Sequence, residues 1–194
     1  DAAGIPRVSE EVAVDDASLD RLAHNTGFPL VMKVVGPVHK SDVGGVALGI
    51  DNDIDLMEHF QRMLKIEGAR GVLLQPMLEG IELFIGAKYE PGFGHILLCG
   101  LGGIYVEVMR DMASGLAPLS LAEAGRMIRS LNGFKMLEGM RGQPGIDIPS
   151  FEEILVRLSM VLSDNDKIEE LDLNPLMGRG DQLFVVDSRI RITK

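Results

Sequence analysis

Lys33 is the only charged residue in the apolar segment FPLVMKVV (28–35). The segment is rich in β-branched residues and predicts a strand. A buried lysine is costly unless an anion pairs with it, and a nucleotide phosphate is such an anion. Two interpretations stay open at this point. The residue is either an edge lysine whose ammonium group reaches solvent or a lysine that contacts phosphate.

The loop after this strand combines a histidine with two adjacent glycines. It reads HKSDVGG (39–45), so His39 precedes Gly44 and Gly45 by a few residues. Adjacent glycines allow backbone N–H groups to approach phosphate oxygens, and a neutral histidine is a nucleophile. The spacing is not that of a Walker A motif, because G-x-x-x-x-G-K-[ST] is absent. A solvated histidine and a plain glycine turn are the simpler alternatives.

Oxygen ligands recur near the end of the chain. Asp172 and Asn174, in LDLNPL (171–176), share one face of a predicted strand, because strand side chains repeat every two residues. Asp187, in VVDSRI (185–190), would lie on the partner strand. Carboxylate and amide oxygens that converge from two strands suit Mg²⁺ bound to phosphates. A cap or a solvated polar face would give the same spacing.

Helices and strands alternate along the sequence and would position these residues. The apolar periodicity predicts helices at 16–26, 53–66, 120–132 and 150–162, the last capped by Ser150 with Glu153. Strands are predicted at 28–35, 46–50, 71–77, 82–90, 95–102, 104–111, 168–177 and 183–190, the last two joined by the turn 178–181. We expect an α/β (α+β) fold with mixed and antiparallel sheets. It would form two subdomains, 1–78 and 79–194, around a ligand crevice.

The composition excludes several classes of protein. The 194 residues carry a net charge of −10, which argues against binding nucleic acid. No apolar run is long enough to span a membrane. Cys99 is the only cysteine, so an internal disulfide and a cysteine-based metal cluster are both excluded, and a cytoplasmic location is expected. The sequence begins at Asp1 in a segment typical of a helix end, so we expect a fragment of a longer polypeptide.

Taken together, the motifs resemble one family. In order along the chain they are FPLVMKVV, HKSDVGGV, GVLLQPM, GIELFIGAK, FGHILLCGLGGIYVEV, LAPLS, GMRGQPGID, ELDLNPL and VVDSRI. The series resembles the ATP-grasp domain of ADP-forming (NDP-forming) acyl-CoA synthetases, including the β subunit of ADP-forming acetate–CoA ligase. A domain of the same family, which the series also resembles, occurs in fused protein acetyltransferases and, more distantly, in the β subunit of succinyl-CoA synthetase. The resemblance covers residues 4 to 192 and implies the ATP-grasp fold.

The resemblance assigns roles to individual residues. The positions that match the family's nucleotide contacts are Lys33, Gly44, Gly45, Gln75, Pro76, Met77 and Glu82. The lysine matches the strand residue that holds the phosphates, and the glycines match the loop that covers them. The Gln-Pro-Met segment matches the hinge against the adenine, and the glutamate matches an acidic residue near the ribose.

The resemblance also implies cofactors and a covalent intermediate. Asn174 and Asp187 match the family's Mg²⁺ ligands, with Asp172 nearby. His39 falls where the family carries a phosphohistidine, which relays phosphate between a first histidine on another domain and ADP. The expected cofactors are therefore ATP or ADP and Mg²⁺.

The implied function is the nucleotide-binding part of an acid–thiol ligase. The complete enzyme would interconvert acyl-CoA, ADP and phosphate with the acid, CoA and ATP. Its CoA-binding and primary-histidine domains would lie in the same protein or in a partner subunit. The sequence departs from the family at two points: the stretch between Lys33 and His39 is about two residues shorter, and Gly115 replaces an arginine before LAPL.

Two other functions are compatible with the same motifs. One is a non-catalytic domain that senses nucleotide or acyl-CoA in a fused protein acetyltransferase. The other is an isolated carboxylate–amine ligase, against which stands the lack of any segment resembling an acceptor-binding domain.

Overall fold

The computed structural model of the chain describes residues 3–37, 43–103 and 111–193. Backbone contacts divide it into two compact units. The four-stranded unit is Val8–Leu78, and the six-stranded unit is Asp1–Arg7 together with Glu79–Lys194. Within the described ranges, no helix is long and apolar enough to cross a membrane. The assignment of the two units as ATP-grasp subdomains stays a prediction.

The four-stranded unit is an antiparallel sheet in the order β1-β4-β2-β3. Its elements are β1 (Glu11–Ala13), α1 (Asp16–Thr26), β2 (Leu30–Val35), β3 (Val46–Ile50), α2 (Asp53–Leu64) and β4 (Gly71–Pro76). Asp15 starts α1 by accepting a hydrogen bond from the Ser18 backbone N–H, and Asn52 starts α2 in the same way through Asp55. The predicted helix 16–26 and strand 46–50 are confirmed, and the others differ by one or two residues.

One face of this sheet is covered by the two helices. Leu30, Met32 and Val34 alternate along β2 and pack in one core with residues of α1 and α2, such as Leu19 and Phe60. Since strand side chains alternate, Lys33 lies on the opposite face of the same strand. The apolar run of β2 is explained by its place between β4 and β3, where both of its edges are paired.

The six-stranded unit is an antiparallel sheet in the order β11-β10-β5-β6-β7, with β12 also paired to β10. Its strands are β5 (Ile81–Glu90), β6 (Gly94–Leu101), β7 (Met112–Leu116), β10 (Ile168–Arg179), β11 (Gln182–Val185) and β12 (Ser188–Ile192). Its helices are α3 (Leu121–Arg129), α4 (Phe134–Leu137) and α5 (Ile148–Ser163). A two-stranded ribbon of β8 (Gly139–Met140) and β9 (Gln143–Pro144) completes the unit.

The core of this unit lies between one sheet face and the helices. Leu83, Ile85, Leu171 and Leu173 point to that side and share one cluster with residues of α3 and α5. The alternate residues of β5 and β10 therefore lie on the other face, which no helix of this cluster covers.

The helix predicted at 150–162 is present, but its predicted cap is wrong. It begins at Ile148, because Asp147 caps it and accepts hydrogen bonds from the Ser150 backbone and hydroxyl. A second prediction about this unit is also wrong. The segment 183–190 is two strands rather than one, since β11 and β12 pair with separate stretches of β10. Residues 104–110 of the predicted strand 104–111 lie outside the described residues.

Candidate functional site

Lys33 lies in the interior of the sheet of the four-stranded unit. It pairs in register with Leu73 of β4 and Val46 of β3, so it is not an edge lysine. Only 8% of its surface is exposed. A lysine held this far from water needs a compensating negative group, which is the property expected of a phosphate-binding lysine.

The two glycines lie at the base of the loop that leads into β3. The backbone N–H of Val34 donates to the Gly45 carbonyl at 2.7 Å. Since Val34 follows Lys33 in β2, this hydrogen bond holds Gly45 next to the lysine. Gly44 has φ +67°, a conformation that L residues rarely adopt. The Arg62 guanidinium donates to the Gly44 carbonyl at 3.2 Å, and it also contacts the His59 ring at 2.8 Å. Sequence reasoning missed Arg62, because only tertiary folding brings α2 to this loop.

The predicted hinge segment divides between buried and exposed residues. Gln75 is 1% exposed on β4, and its amide donates to Glu10 at 2.8 Å. It lies on the same sheet face as Lys33, because Leu73 is opposite Lys33 and Gln75 is two residues further along β4. Met77 follows the strand, is 38% exposed, and donates its backbone N–H to the Pro29 carbonyl. Met77 therefore presents an apolar side chain at the end of the sheet.

Glu82 lies on the face of the six-stranded sheet that points away from the helices. Its backbone carbonyl accepts a hydrogen bond from Gly102 at 2.6 Å. Its carboxylate lies against Gly103, where an added Cβ would be 2.6 Å from Oε2. Gly103 has φ +61°, so the turn requires a glycine there.

Asp172 and Asn174 lie on that same face of β10. Both are exposed, while Leu171 and Leu173 point into the core. The register of β10 against β5 shifts between Leu173 and Leu176, a stretch that includes Asn174. Bulges redirect side chains and are frequent beside functional sites.

Asp187 occupies the break between β11 and β12, close to both of these residues. The Asn174 backbone N–H donates to the Asp187 carbonyl at 3.1 Å, and the Asp187 carboxylate accepts from the Ser188 backbone at 2.9 Å. Partial burial and then the charge of Asp187 raise the pKa of Asp172, against the opposing effect of Arg189. The two carboxylates are therefore within electrostatic range of each other.

The donor set fits a hard cation. Two carboxylates and one amide on neighbouring strands are oxygen ligands of the type that Mg²⁺ prefers. The described ranges contain no cluster of three or more histidine, cysteine or carboxylate side chains that could hold a metal ion. Any metal bound here would keep other ligands, such as water or phosphate oxygens, as Mg²⁺ usually does.

Glu82 and Asp172 are too far apart to contact the same ligand atom. Asp172 is opposite Gly86 on β5, four residues from Glu82. At about 3.4 Å per residue this separation is about 14 Å along the strand. These two residues would contact different parts of one extended molecule.

Gly115, at the position of the expected arginine, faces the core. A Cβ there would lie 2.6 Å from the sulfur of Met127 and 2.7 Å from Leu119 Cδ2. Met127 and Leu119 are 7% and 6% exposed, so the space that a longer side chain would need is filled.

The structure thus gathers the predicted residues into two groups. Lys33, Gly44, Gly45, Gln75 and Met77 belong to the four-stranded unit. Glu82, Asp172, Asn174 and Asp187 belong to the six-stranded unit. His39 lies outside the described residues.

Comparison with known protein sequences gives matches along nearly the whole chain. Residues 1–192 match the ATP-grasp domain family. The chain is 39% identical to the ADP-forming 4-hydroxybutyrate–CoA ligase of Nitrosopumilus maritimus, over 97% of this chain and 29% of that ligase. It is 33% identical to subunit beta of the ADP-forming acetate–CoA ligase I of Pyrococcus furiosus, over 96% of this chain and 85% of that subunit. The chain therefore spans less than a third of the first relative and most of the second.

Solved structures agree with the sequence matches. The dinucleotide-forming acetyl-coenzyme A synthetase 1 of Ca. Korarchaeum cryptofilum, in complex with coenzyme A, Ca-AMPCP and HgCl⁺, superposes with a TM-score of 0.90 at 34% identity, over 98% of this chain and 88% of that chain. A second structure of that synthetase contains coenzyme A and Mg-AMPPCP, with a phosphohistidine segment pointing towards the nucleotide binding site; its TM-score is 0.84 at 34% identity, over 98% and 87% of the two chains. The predicted ATP-grasp fold is confirmed.

Proposed function

Since the chain belongs to the ATP-grasp domain family of ADP-forming acyl-CoA synthetases, we propose that it is the nucleotide-binding part of such an enzyme. The complete enzyme would convert an acyl-CoA, ADP and phosphate into the free acid, CoA and ATP. A CoA-binding domain and a domain with the first histidine, in the same polypeptide or in a partner subunit, would perform the other half of the reaction. The single cysteine, Cys99, favours a reducing compartment, and we propose the cytoplasm.

The proposal is carried by the chemistry of the polar groups within each unit. The four-stranded unit holds an almost fully buried lysine beside a double glycine. The six-stranded unit holds two carboxylates and an amide on one open face. Binding of a nucleoside diphosphate with Mg²⁺ requires a cation that contacts the phosphate and oxygen ligands that hold the metal.

Phosphate would pass from His39 to ADP. The bond between phosphorus and the ring nitrogen breaks while a β-phosphate oxygen of ADP bonds to that phosphorus. The released ring nitrogen takes up one proton, from the protonated β-phosphate of ADP or from solvent, which leaves neutral imidazole and ATP. The phosphohistidine segment of the Korarchaeum synthetase, which points towards its nucleotide site, supports this role for the loop. The double glycine would let the loop backbone approach the phosphates.

The remaining residues would bind and orient the nucleotide. Lys33 would neutralise phosphate charge from within a sheet where water does not screen it. Asp172, Asn174 and Asp187 would hold Mg²⁺, which when bound neutralises and orients phosphate oxygens. Met77 would contact the adenine from the hinge, and Glu82 would accept hydrogen bonds from the ribose.

Nucleotide binding tests the lysine. We expect Lys33→Met, which keeps the length of the side chain, to weaken Mg·ADP binding about 10- to 100-fold, since a hydrogen bond to a charged group contributes about 1.5–3 kcal/mol. Lys135→Met is the matched control, because that side chain is 85% exposed on α4. Calorimetry that gives one affinity for wild type and Lys33→Met would remove Lys33 from the site.

Phosphate transfer tests the histidine. With labelled ATP and Mg²⁺, the complete protein should take up an acid-labile, base-stable phosphate. His39→Ala should abolish both the label and ATP synthesis while ADP binding persists. His24→Ala is the control, since His24 lies in the last turn of α1. ATP synthesis at the wild-type rate in His39→Ala would refute the relay.

The second hypothesis, a nucleotide-sensing domain of a fused acetyltransferase, has no support in the comparisons. The relatives and the solved structure described above are ligases or synthetases.

A further inference from the structure

Asp172 has two unlike neighbours on the open face of the six-stranded sheet. Across the ladder to β5 it is opposite Gly86, and across the ladder to β12 it is opposite Arg189. All three positions lie on the same face, because residues in register on adjacent strands point the same way. A carboxylate thus stands between a guanidinium on one side and a position without a side chain on the other.

Arg189 differs from the next arginine on the same strand. Arg191 forms ion pairs with Glu169 at 2.9 Å and with Glu170 at 2.7 Å. In the part of the chain that the structure describes, Arg189 makes no side-chain hydrogen bond or ion pair, although its charge acts on Asp172. Both arginines are exposed on β12 and are two residues apart, so they lie on the same face of the strand. They differ only in whether a carboxylate pairs with the guanidinium.

Gly86 leaves open space beside Asp172. A Cβ built there would meet only Leu98 Cβ, at 4.0 Å, which is ordinary van der Waals contact. The glycine is therefore not required by packing, and its φ is not in the left-handed region. Because Gly86 has no side chain, there is free space over β5 next to Asp172, on the side opposite to Arg189.

We propose that Arg189 binds the terminal phosphate oxygens of the nucleotide and that Gly86 provides the space through which the phosphates reach Asp172. The inference rests on the proposed function and adds two residues to its site. A planar guanidinium with several N–H donors matches phosphate oxygens. Mg²⁺ on Asp172 and Asp187 would offset their charge, and a guanidinium beside them would hold phosphate oxygens that the metal does not bind.

Position 115 does not supply this cation. The arginine expected there is missing, and its place is filled by Met127 and Leu119. Arg189 presents a guanidinium on the opposite, open face of the same sheet, where a phosphate has access.

Ligands that differ by one phosphate test the proposal. We expect Arg189→Gln to weaken binding of Mg·ADP on the order of 10- to 100-fold, as for loss of a charged hydrogen bond. Binding of AMP, which lacks the β-phosphate, should change less than twofold by the same rule. Arg191→Gln is the matched control and should leave both affinities unchanged. Equal Mg·ADP affinity in wild type and Arg189→Gln would overturn the role of Arg189.

A metal titration separates phosphate binding from simple charge balance. If Arg189 only offsets the carboxylates, Arg189→Gln should bind Mn²⁺ more tightly by electron paramagnetic resonance while its ADP affinity stays the same, and that result overturns the proposal. Wild-type protein that binds no Mg·ADP would overturn the proposed function itself. That result differs from failure of the Arg189 proposal, in which wild type and Arg189→Gln bind Mg·ADP equally.

A second variant tests the space. Gly86→Val should fold with an unchanged melting temperature, since the position has room, and it should weaken Mg·ADP binding at least tenfold. Gln182→Val is the control, because it places the same side chain at an exposed position of β11, far along the sheet from Asp172. A Gly86→Val protein that binds Mg·ADP as wild type does would show that phosphates do not pass over Gly86.

Discussion

Restoring the family's arginine at position 115 should damage this protein rather than repair it. The resemblance places an arginine just before LAPL, where the chain has Gly115. In the structure a Cβ at that position is already 2.6 Å from Met127 and 2.7 Å from Leu119. Both contacts are with the far ends of flexible side chains, so Gly115→Ala should be absorbed by small movements. The much longer arginine cannot be absorbed in this way.

The cost follows from overpacking and from burial of charge. Forcing extra atoms into a packed core costs about 1–3 kcal/mol. With a urea m-value of about 2 kcal/mol/M, this lowers the unfolding midpoint by about 0.5–1.5 M. A guanidinium that enters the core without a partner adds to the loss.

Urea unfolding followed by circular dichroism measures the effect. Ser114→Arg is the matched control, since Ser114 is the exposed neighbour on the same strand and should change the midpoint little. Gly115→Arg should lower the midpoint less in a Met127→Ala background than in the wild-type background, because Met127→Ala removes the clashing sulfur. An unchanged midpoint in Gly115→Arg would refute the packing argument, and a gain in ATP synthesis would show that an arginine at this position can still reach the phosphates.

Three further predictions concern single side chains. Burial raises the pKa of the Cys99 thiol to about 12, so native protein at pH 8 should not react with a thiol reagent, and stability should fall above about pH 8.5 as the unfolded thiol ionises. The pKa of Asp172 is raised, so its charge opposes folding at neutral pH; Asp172→Asn should raise the melting temperature of metal-free protein and weaken the Mg²⁺ dependence of ADP binding. The Asp111 carboxylate accepts from Asn132 and from the Gly133 backbone at 2.6 Å; Asp111→Ala should cost about 3 kcal/mol in urea unfolding, whereas Asp181→Ala in an exposed turn should cost little.

Most of the secondary structure could be predicted, because the buried residues of each element recur at the spacing of a helix or a strand. The buried residues Leu19, Leu22 and Ala23 of α1 follow the helical period, and the predicted bounds of that helix are confirmed. The prediction failed where two signals competed. Ser150 with Glu153 satisfies a capping-box pattern, but Asp147 is a better cap for a helix whose second residue is proline.

The candidate site was only partly predictable, because the register between two strands cannot be deduced from the sequence of one of them. The alternation of β10 already placed Asp172 and Asn174 on one face. That Arg189 and Gly86 lie on either side of Asp172 depends on how β12 and β5 align with β10, and that alignment includes two register shifts. A shift of one residue would move Arg189 to the other face, so no inspection of VVDSRI alone could assign it.

The two cations proposed to bind phosphate, one in each unit, should respond differently to salt. Lys33 is 8% exposed, whereas Arg189 is exposed on the sheet surface. Salt screens exposed charges over a Debye length of about 10 Å at 0.1 M but only about 3 Å at 1 M, and buried charges are screened less. The affinity ratio between wild type and Arg189→Gln for Mg·ADP should therefore fall to about twofold in 1 M KCl. The ratio for Lys33→Met should stay within about threefold of its low-salt value. Calorimetry at low salt and in 1 M KCl measures both affinity ratios. If the ratio for Lys33→Met falls as much as the ratio for Arg189→Gln, then Lys33 contacts the phosphate in a solvent-exposed position, and the argument from its burial is wrong.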